Sequence, residues 1–257
     1  MKVIILAGGW GTRLGQLTEL IPKPMVTIGN KPILWHIMKI YSHYGYNDFI
    51  ITLGVKGYVI KEYFSNYEAL NNDFTVDLSS GHIIYYNKHD EANWKVTLVD
   101  TGQNTLKGGR IKRVEKYLDD DTNMVTYGDG IADVDISKLV EFHRSHSKMI
   151  TITGVNPPAR FGELEVNKGN VNSFIEKSNS SKNEINGGYM VFNRELLDHL
   201  TDDENCDLEF STLENLTKLG QVMMYKHNGQ WECMDHERDV IYMNKLLTDN
   251  KAFWKVW

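Results

Sequence analysis

Val3-Ile4-Ile5-Leu6-Ala7-Gly8-Gly9-Trp10-Gly11-Thr12-Arg13-Leu14 is the stretch that decides the fold. Five apolar residues in a row, with no polar alternation, are what a parallel strand covered on both faces requires. Glycines follow at once, and with no Cβ in the way they let backbone N–H groups approach a phosphate. Arg13 puts a fixed cation inside the turn, where a guanidinium can grip phosphate oxygens in pairs. Further on, Lys23 stands between Pro22 and Pro24, which present it on a stiff segment. Two commoner phosphate loops do not fit. The P-loop spacing ending in Gly-Lys-Ser/Thr is absent. The dinucleotide fingerprint wants a glycine where Leu14 stands, and an acid where the second strand ends in Leu53-Gly54.

Outward from that turn, residues 33–41 have helical apolar spacing with Pro32 in the first turn, and Gly45 ends the run. Residues 49–53 predict a second strand, 59–67 a helix, and 83–86 a third strand. Residues 96–100 form another short extended run, 110–117 a helical pattern after Gly108-Gly109, 124–127 a strand stopping at Gly128-Asp129-Gly130, and 135–146 a helix. This alternation predicts a three-layer α/β fold. From about residue 150 the texture changes. Residues 150–155, 164–166, 171–175 and 188–192 are short strands separated by Gly, Asn and Pro, which favours antiparallel pairing. Residues 208–219 then predict a helix, 222–225 a strand and 237–247 a closing helix. No linker-like segment interrupts the chain, so one continuous core is expected across 1–257, with a nucleotide-binding half (1–135) completed by a second half (136–257).

The 257 residues carry 28 Lys+Arg against 34 Asp+Glu, a net charge of −6, with 41 % hydrophobic residues. That is ordinary globular composition at a length able to bury a core without staples. The acidic balance argues against a nucleic-acid coat. No apolar run approaches the roughly 20 residues that span a bilayer, and the short N-terminal apolar run leads into glycines rather than a cleavage pattern. Cys206 and Cys233 imply no disulfide framework and fit a reducing cytoplasm.

Asp129, between two glycines after an apolar strand, occupies the place where open α/β sheets hold their ligands. Mg²⁺ on one or two carboxylates plus substrate phosphates is the usual arrangement for nucleotide chemistry. Taken alone, Asp129 also reads as a turn aspartate, and Asp235, far away in sequence, as a helix cap. Lys177 follows Ile175-Glu176 at a strand end, and Asn186 can donate to and accept from sugar hydroxyls, with Gly187 and Gly188 beside it opening the backbone to a ring. His143 and His146 have no third ligand and read as a solvated face. Asp119-Asp120-Asp121 reads as an exposed turn, and Asp129, Asp133 and Asp135 lack calcium-loop spacing. Neither cysteine has an activating neighbour pattern. Trp35, Trp94, Trp231, Trp254 and Trp257 read as core or subunit-contact residues.

The run from Leu6 to Leu14 followed by Pro22-Lys23-Pro24-Met25 resembles the signature of the sugar-phosphate nucleotidylyltransferases. Further segments resemble the branch of that family that joins CTP to glucose 1-phosphate: residues 31–39, 56–64 and 96–102, Gly108-Gly109-Arg110, residues 126–130 and 157–162, and Ile185-Asn186-Gly187-Gly188. The resemblance runs from Met1 to Trp257. It implies a Rossmann-like mixed sheet of the nucleotide-diphospho-sugar transferase type, with a small antiparallel β addition in the second half. It also implies CDP-glucose and pyrophosphate as products, a homo-oligomer, no nucleic-acid or membrane partner, and a place in bacterial surface polysaccharide (O antigen) synthesis. Under it, Mg²⁺ falls to Asp129 and Asp235. The nucleotide falls to Leu6, Ala7, Gly8, Gly9, Trp10, Gly11, Thr12, Arg13, Lys23, Thr101, Gly102, Arg110, Gly128 and Asp129. The sugar phosphate falls to Tyr127, Glu176, Lys177, Asn186, Gly187 and Gly188. Arg13, Lys23, Asp129 and Lys177 carry the chemistry: Arg13 on the β- and γ-phosphates, Lys23 on the α-phosphate and Lys177 on the attacking phosphate. Ser178 stands where related enzymes carry proline, which loosens the loop and keeps the charge. Cytosine over uracil or thymine rests on the branch resemblance, and a uridylyl- or thymidylyltransferase remains an alternative. So do a glycosyltransferase of similar architecture, against which Arg13 and Lys23 argue, and a silent nucleotide-sugar sensor.

Overall fold

The computed structural model describes residues 1–87, 89–157, 163–175 and 184–257. Among the described residues seven strands form the central sheet: β1 (Val3–Leu6), β2 (Asp48–Leu53), β3 (Lys95–Asp100), β4 (Thr122–Tyr127), β5 (Ile150–Val155), β6 (Ile185–Asn193) and β7 (Val222–Lys226). Their spatial order is β7-β5-β6-β4-β1-β2-β3. β1 pairs in parallel with β2 and β4, β2 with β3, and β5 with β7. β6 runs antiparallel to both its neighbours, β4 and β5. This is the mixed α/β sheet that the alternation of elements predicts.

Successive side chains of a strand point to opposite faces, and β1 shows the result. Val3 and Ile5 enter one core with α1 (Ile33–His43), α4 (Ile136–Arg144) and α5 (Glu237–Thr248). Ile4 and Leu6 enter the other, with Ile111 of α3 (Lys107–Arg113) and with Leu196, Leu208 and Leu216. The sheet is thus sandwiched between two helical layers. α1 runs from Ile33 to His43, and Pro32 stands just before it as an extended N-cap rather than in its first turn. α4 is capped by Asp135, whose carboxylate accepts from the Lys138 amide at 3.0 Å.

Several elements differ from the sequence expectation. Residues 83–86 belong to a separate hairpin, Phe74–Asp77 with His82–Tyr85, and the outer parallel strand is β3 instead. Helix 59–67 is split into α2 (Gly57–Ser65) and the short helix Tyr67–Asn71. The helix expected over 208–219 is a π-helical turn, Leu208–Leu213, followed by Glu214–Lys218. The later strands are only partly antiparallel: Glu163–Asn167 and Asn170–Ile175 form the small added hairpin, whereas β5 and β7 join the main sheet in parallel. His143 is buried, not solvated. Its ring bonds Thr151 Oγ1 and donates to Asn193 Oδ1, each at 2.9 Å. Among the described residues no helix is long and apolar enough to cross a membrane.

Candidate active site

Three of the central strands deliver chemistry to one rim of the sheet. The glycine turn follows β1, Gly128-Asp129 follow β4, and Asn186 stands at the start of the antiparallel β6, hence at the same rim. On the other side of β1, Leu53 ends β2 with Gly54 after it, and Thr101-Gly102 follow β3. The loops enclose a cavity of about 580 Å³. Its walls include Leu6, Ala7, Gly8, Gly9, Trp10, Gly11, Thr12, Arg13, Lys23, Arg110, Tyr127, Gly128, Asp129, Asn186 and Asp235. Thr101, Gly102, Gly187 and Gly188 are not part of that wall, but each hydrogen-bonds to a residue that is. Glu176 and Lys177 fall outside the described residues.

The first turn has physical reasons for its glycines. A Cβ on Gly8 would lie 2.1 Å from the Arg110 guanidinium, and Gly11 has φ +67°. Thr18 holds the loop, its hydroxyl donating to the Gly11 carbonyl at 2.9 Å. Arg110 is buried, and its guanidinium donates to the carbonyls of Gly8 (2.6 Å), Leu53 (2.9 Å), Gly102 (2.8 Å) and Gln103 (3.2 Å) and to Thr101 Oγ1 (2.7 Å). Burial, followed by the charge of Arg113, pushes its pKa down to about 10. Its hydrogen bonds are spent on tying together the loops that follow β1, β2 and β3.

Lys23 opens a short 3₁₀ turn, Lys23–Met25, after the extended Pro22. Its ammonium lies 2.6 Å from Asp129 Oδ2 and 2.8 Å from Asp235 Oδ1, and Arg13 Nη1 donates to Asp235 Oδ2 at 2.9 Å. The two carboxylates meet through a small ribbon. Gly130–Ala132 pairs antiparallel with Trp231–Cys233, with Cys233 opposite Gly130, and the Met234 amide donates to the Asp129 carbonyl at 2.9 Å. Asp239, in the first turn of α5, then fixes the approach to that helix by accepting from the amides of Asp235 (2.9 Å) and His236 (2.7 Å). Burial works to lower the pKa of Lys23, but Asp129 and then Asp235 outweigh it, so the ammonium is held above its ordinary value. Asp235 shows the converse: burial would raise it, and Lys23 and Arg13 hold it below the usual carboxylate range.

One ligand atom each of Asp129, Cys233 and Asp235 lie within 4.8 Å of one another. Burial, followed by the charge of Asp129, pushes the Cys233 thiol well up, and sulfur is in any case a soft donor that a hard cation passes over in favour of oxygen. What remains is a pair of hard carboxylate oxygens already holding one cation, the Lys23 ammonium. That donor set fits Mg²⁺, which takes oxygen ligands and completes its shell with phosphate and water.

Other wall residues had no sequence signal: Gln103, Asn104, Lys107 and Trp231. Trp231, read as core or contact, donates its indole N–H to the Gly187 carbonyl at 2.8 Å and faces the cavity. The glycines after Asn186 also have a different local reason. A Cβ on Gly188 (φ +85°) would meet the Tyr127 ring at 2.7 Å, and one on Gly187 would meet Val155 at 2.6 Å. Neither glycine could carry a side chain without displacing its neighbour.

Residues 2–250 match the family model described as nucleotidyl transferase. The chain belongs to the nucleotidyl transferase family. This nucleotidyl transferase is 48 % identical, over 258 residues and the whole of both chains, to the glucose-1-phosphate cytidylyltransferase of Salmonella typhimurium. It is 42 % identical, again over the whole of both, to a Bacillus subtilis protein described as a probable glucose-1-phosphate cytidylyltransferase. The crystal structure of HddC from Yersinia pseudotuberculosis superposes with a TM-score of 0.68 at 25 % identity, covering 96 % of this chain and 99 % of that one.

Proposed function

We propose that this nucleotidyl transferase moves a cytidylyl group from CTP to α-D-glucose 1-phosphate, giving CDP-glucose and pyrophosphate. The observation that carries this reading is the end-to-end 48 % identity to a protein of that name. The convergence of Arg13, Lys23, Asp129 and Asp235 on one cavity supports it. A phosphate oxygen of the sugar phosphate attacks the α-phosphorus of CTP. The bond from that phosphorus to the bridging oxygen breaks in line, and pyrophosphate leaves with the electron pair. Little covalent work falls to the protein, so positioning and charge neutralisation dominate. Arg13 holds the β- and γ-phosphates and the departing pyrophosphate. Lys23 neutralises the α-phosphate, and Lys177 the attacking phosphate. Mg²⁺, held by Asp129 and Asp235, supplies neutralisation of phosphate charge when bound.

In this reading residues 1–135 serve the nucleotide and 136–257 the sugar phosphate, the enzyme works in the cytoplasm, and CDP-glucose feeds surface polysaccharide synthesis. A homo-oligomer is supported by the hairpin Phe74–Asp77/His82–Tyr85, which leaves Val76, Ile83, Ile84 and the adjoining Tyr86 exposed.

The test is pyrophosphate release across CTP, UTP, dTTP and GTP against a panel of sugar 1-phosphates, with and without EDTA. CTP with glucose 1-phosphate should turn over fastest, and EDTA should abolish release, with Mg²⁺ restoring it. Preference for another base or sugar phosphate would replace the assignment by that pair. Silence for every pair would favour a binding protein.

A further inference from the structure

Glu209 and Lys107 carry no sequence signal, yet they meet beside the cavity. Glu209 lies in the π-helical turn Leu208–Leu213, an uncommon geometry that recurs at functional sites. Asp207 pins that turn, its carboxylate accepting from the amides of Glu209 (2.7 Å) and Phe210 (2.8 Å). Glu209 Oε1 accepts from the Tyr127 hydroxyl at 2.5 Å and also takes the ammonium of Lys107. The same ammonium lies over the Tyr127 ring, 4.8 Å from its centroid.

A phenol has one proton to give. Tyr127 gives it to Glu209, so toward Asn186 the hydroxyl can only accept, and Asn186 Nδ2 donates to it at 3.0 Å. Asn186 Oδ1 in turn accepts from the Gly188 amide at 2.9 Å. The carboxamide is thereby fixed in one orientation, with one N–H and one lone pair left over.

Lys107, Tyr127 and Asn186 all line the cavity, whereas Glu209 is not part of its wall. Tyr127 ends β4 and Asn186 begins β6, on the side of β1 away from Leu53, Thr101 and Arg110. Two hydrogen-bonding groups of fixed direction, on the opposite flank from the loops tied by Arg110, suit a ring bearing several hydroxyls.

We propose that Glu209 is a positioning residue for the acceptor sugar: acting through Tyr127 it sets the direction of the Asn186 carboxamide, with Lys107 as its counter-charge, and so determines which hexose 1-phosphate is accepted. This rests on the cytidylyltransferase reading above.

The experiment is steady-state kinetics of Glu209→Ala and Glu209→Gln at saturating CTP, with glucose 1-phosphate and its epimeric hexose 1-phosphates. Loss of a hydrogen bond to a charged group should raise the KM for glucose 1-phosphate about tenfold in Glu209→Ala and lower the preference for glucose over its epimers. The KM for CTP should stay unchanged. The amide oxygen of glutamine can still accept from Tyr127, so Glu209→Gln should recover to within roughly threefold of the parent. An unchanged sugar-phosphate KM and epimer preference in Glu209→Ala would overturn the proposal. So would an equal rise in both KM values, which a purely structural role would give. Should the alanine variant not fold, Glu209→Asp keeps the charge but draws it back from Tyr127, and the same split is read there. If the parent turns over a different sugar phosphate, the cytidylyl–glucose reading fails and the split is measured with that substrate. A parent that makes no nucleotide sugar overturns both.

Discussion

Lys23 is bonded to both Asp129 and Asp235, so it joins groups far apart in sequence, and with Arg13 on Asp235 two cations face two carboxylates. Lys23→Ala and Asp129→Ala should each lower pyrophosphate release at least about 100-fold, the scale of removing one group that stabilises transition-state charge. Their far-UV circular dichroism should match the parent, because both side chains lie at the cavity and outside the two apolar cores. Normal release by either variant would remove that residue from the chemistry. Arg110 calls for a different expectation. A lysine cannot reproduce a planar fork serving four carbonyls and a hydroxyl. Arg110→Lys should therefore cost about 2 kcal/mol of stability through unpaired buried carbonyls, read by denaturant unfolding, and should weaken CTP binding by loosening the loop at Gly8. Arg13, Lys23 and Asp129 were legible because glycines or prolines flank them, which marks backbone built for a purpose. Lys107 and Glu209 were not, since an exposed-looking lysine and a glutamate in a helical pattern carry no such mark.

At the scale of elements, the ribbon Gly130–Ala132/Trp231–Cys233 and the glycine start of β6 give the site its shape. Gly188→Ala should destabilise by at least about 1–2 kcal/mol, from the positive φ and the clash with Tyr127. The displaced Tyr127 should also raise the KM for the sugar phosphate. A fall in thermal midpoint with unchanged kinetics would show that the ring moves without consequence for the pocket. The sequence pattern located β1, β2, β4, α1 and α4 well, because each combines a strong apolar period with a glycine, proline or aspartate at its end. It misplaced the outer strand. Residues 83–85 are as apolar as a buried strand but pair with Phe74–Val76 in a separate hairpin, while β3 carries Lys95 and Thr97 and looks weaker by composition. Three-residue strands such as Trp231–Cys233 carry no period to detect, so the meeting of Asp129 with Asp235 could be expected only from resemblance.

For the whole molecule, the pH response is set partly by one buried imidazole. His36 donates from Nε2 to the Ile28 carbonyl at 3.0 Å and accepts at Nδ1 from the indole of Trp254, 3.3 Å away, so both nitrogens are committed in the neutral form. Burial lowers its pKa to about 4. The unfolded chain binds this proton below about pH 6.5, whereas the folded chain binds it only near 4. Stability from this group is therefore fully present above 6.5 and is lost as pH falls toward 4, by up to about 3 kcal/mol. Thermal midpoints measured across that window should decline, and His36→Gln, which does not titrate, should flatten the decline. An equal decline in the variant would assign it to other groups.

The antiparallel insertion of β6 between β4 and β5 has a consequence for the order in which the molecule is made. When residues 1–127 have left the ribosome, β4 has its partner β1 but an open edge on the other side, which stays open until residues 185–193 arrive. Asp235 emerges later still, 212 positions after the lysine it joins. Such long closures are slow relative to local helix formation. In refolding from denaturant, recovery of catalysis should lag behind recovery of helical signal, and a nascent chain halted before residue 231 should lack the cavity's second carboxylate however well its first half has folded. Competence for the reaction is thus a property that the chain acquires only once Asp235 has been added and has reached Lys23.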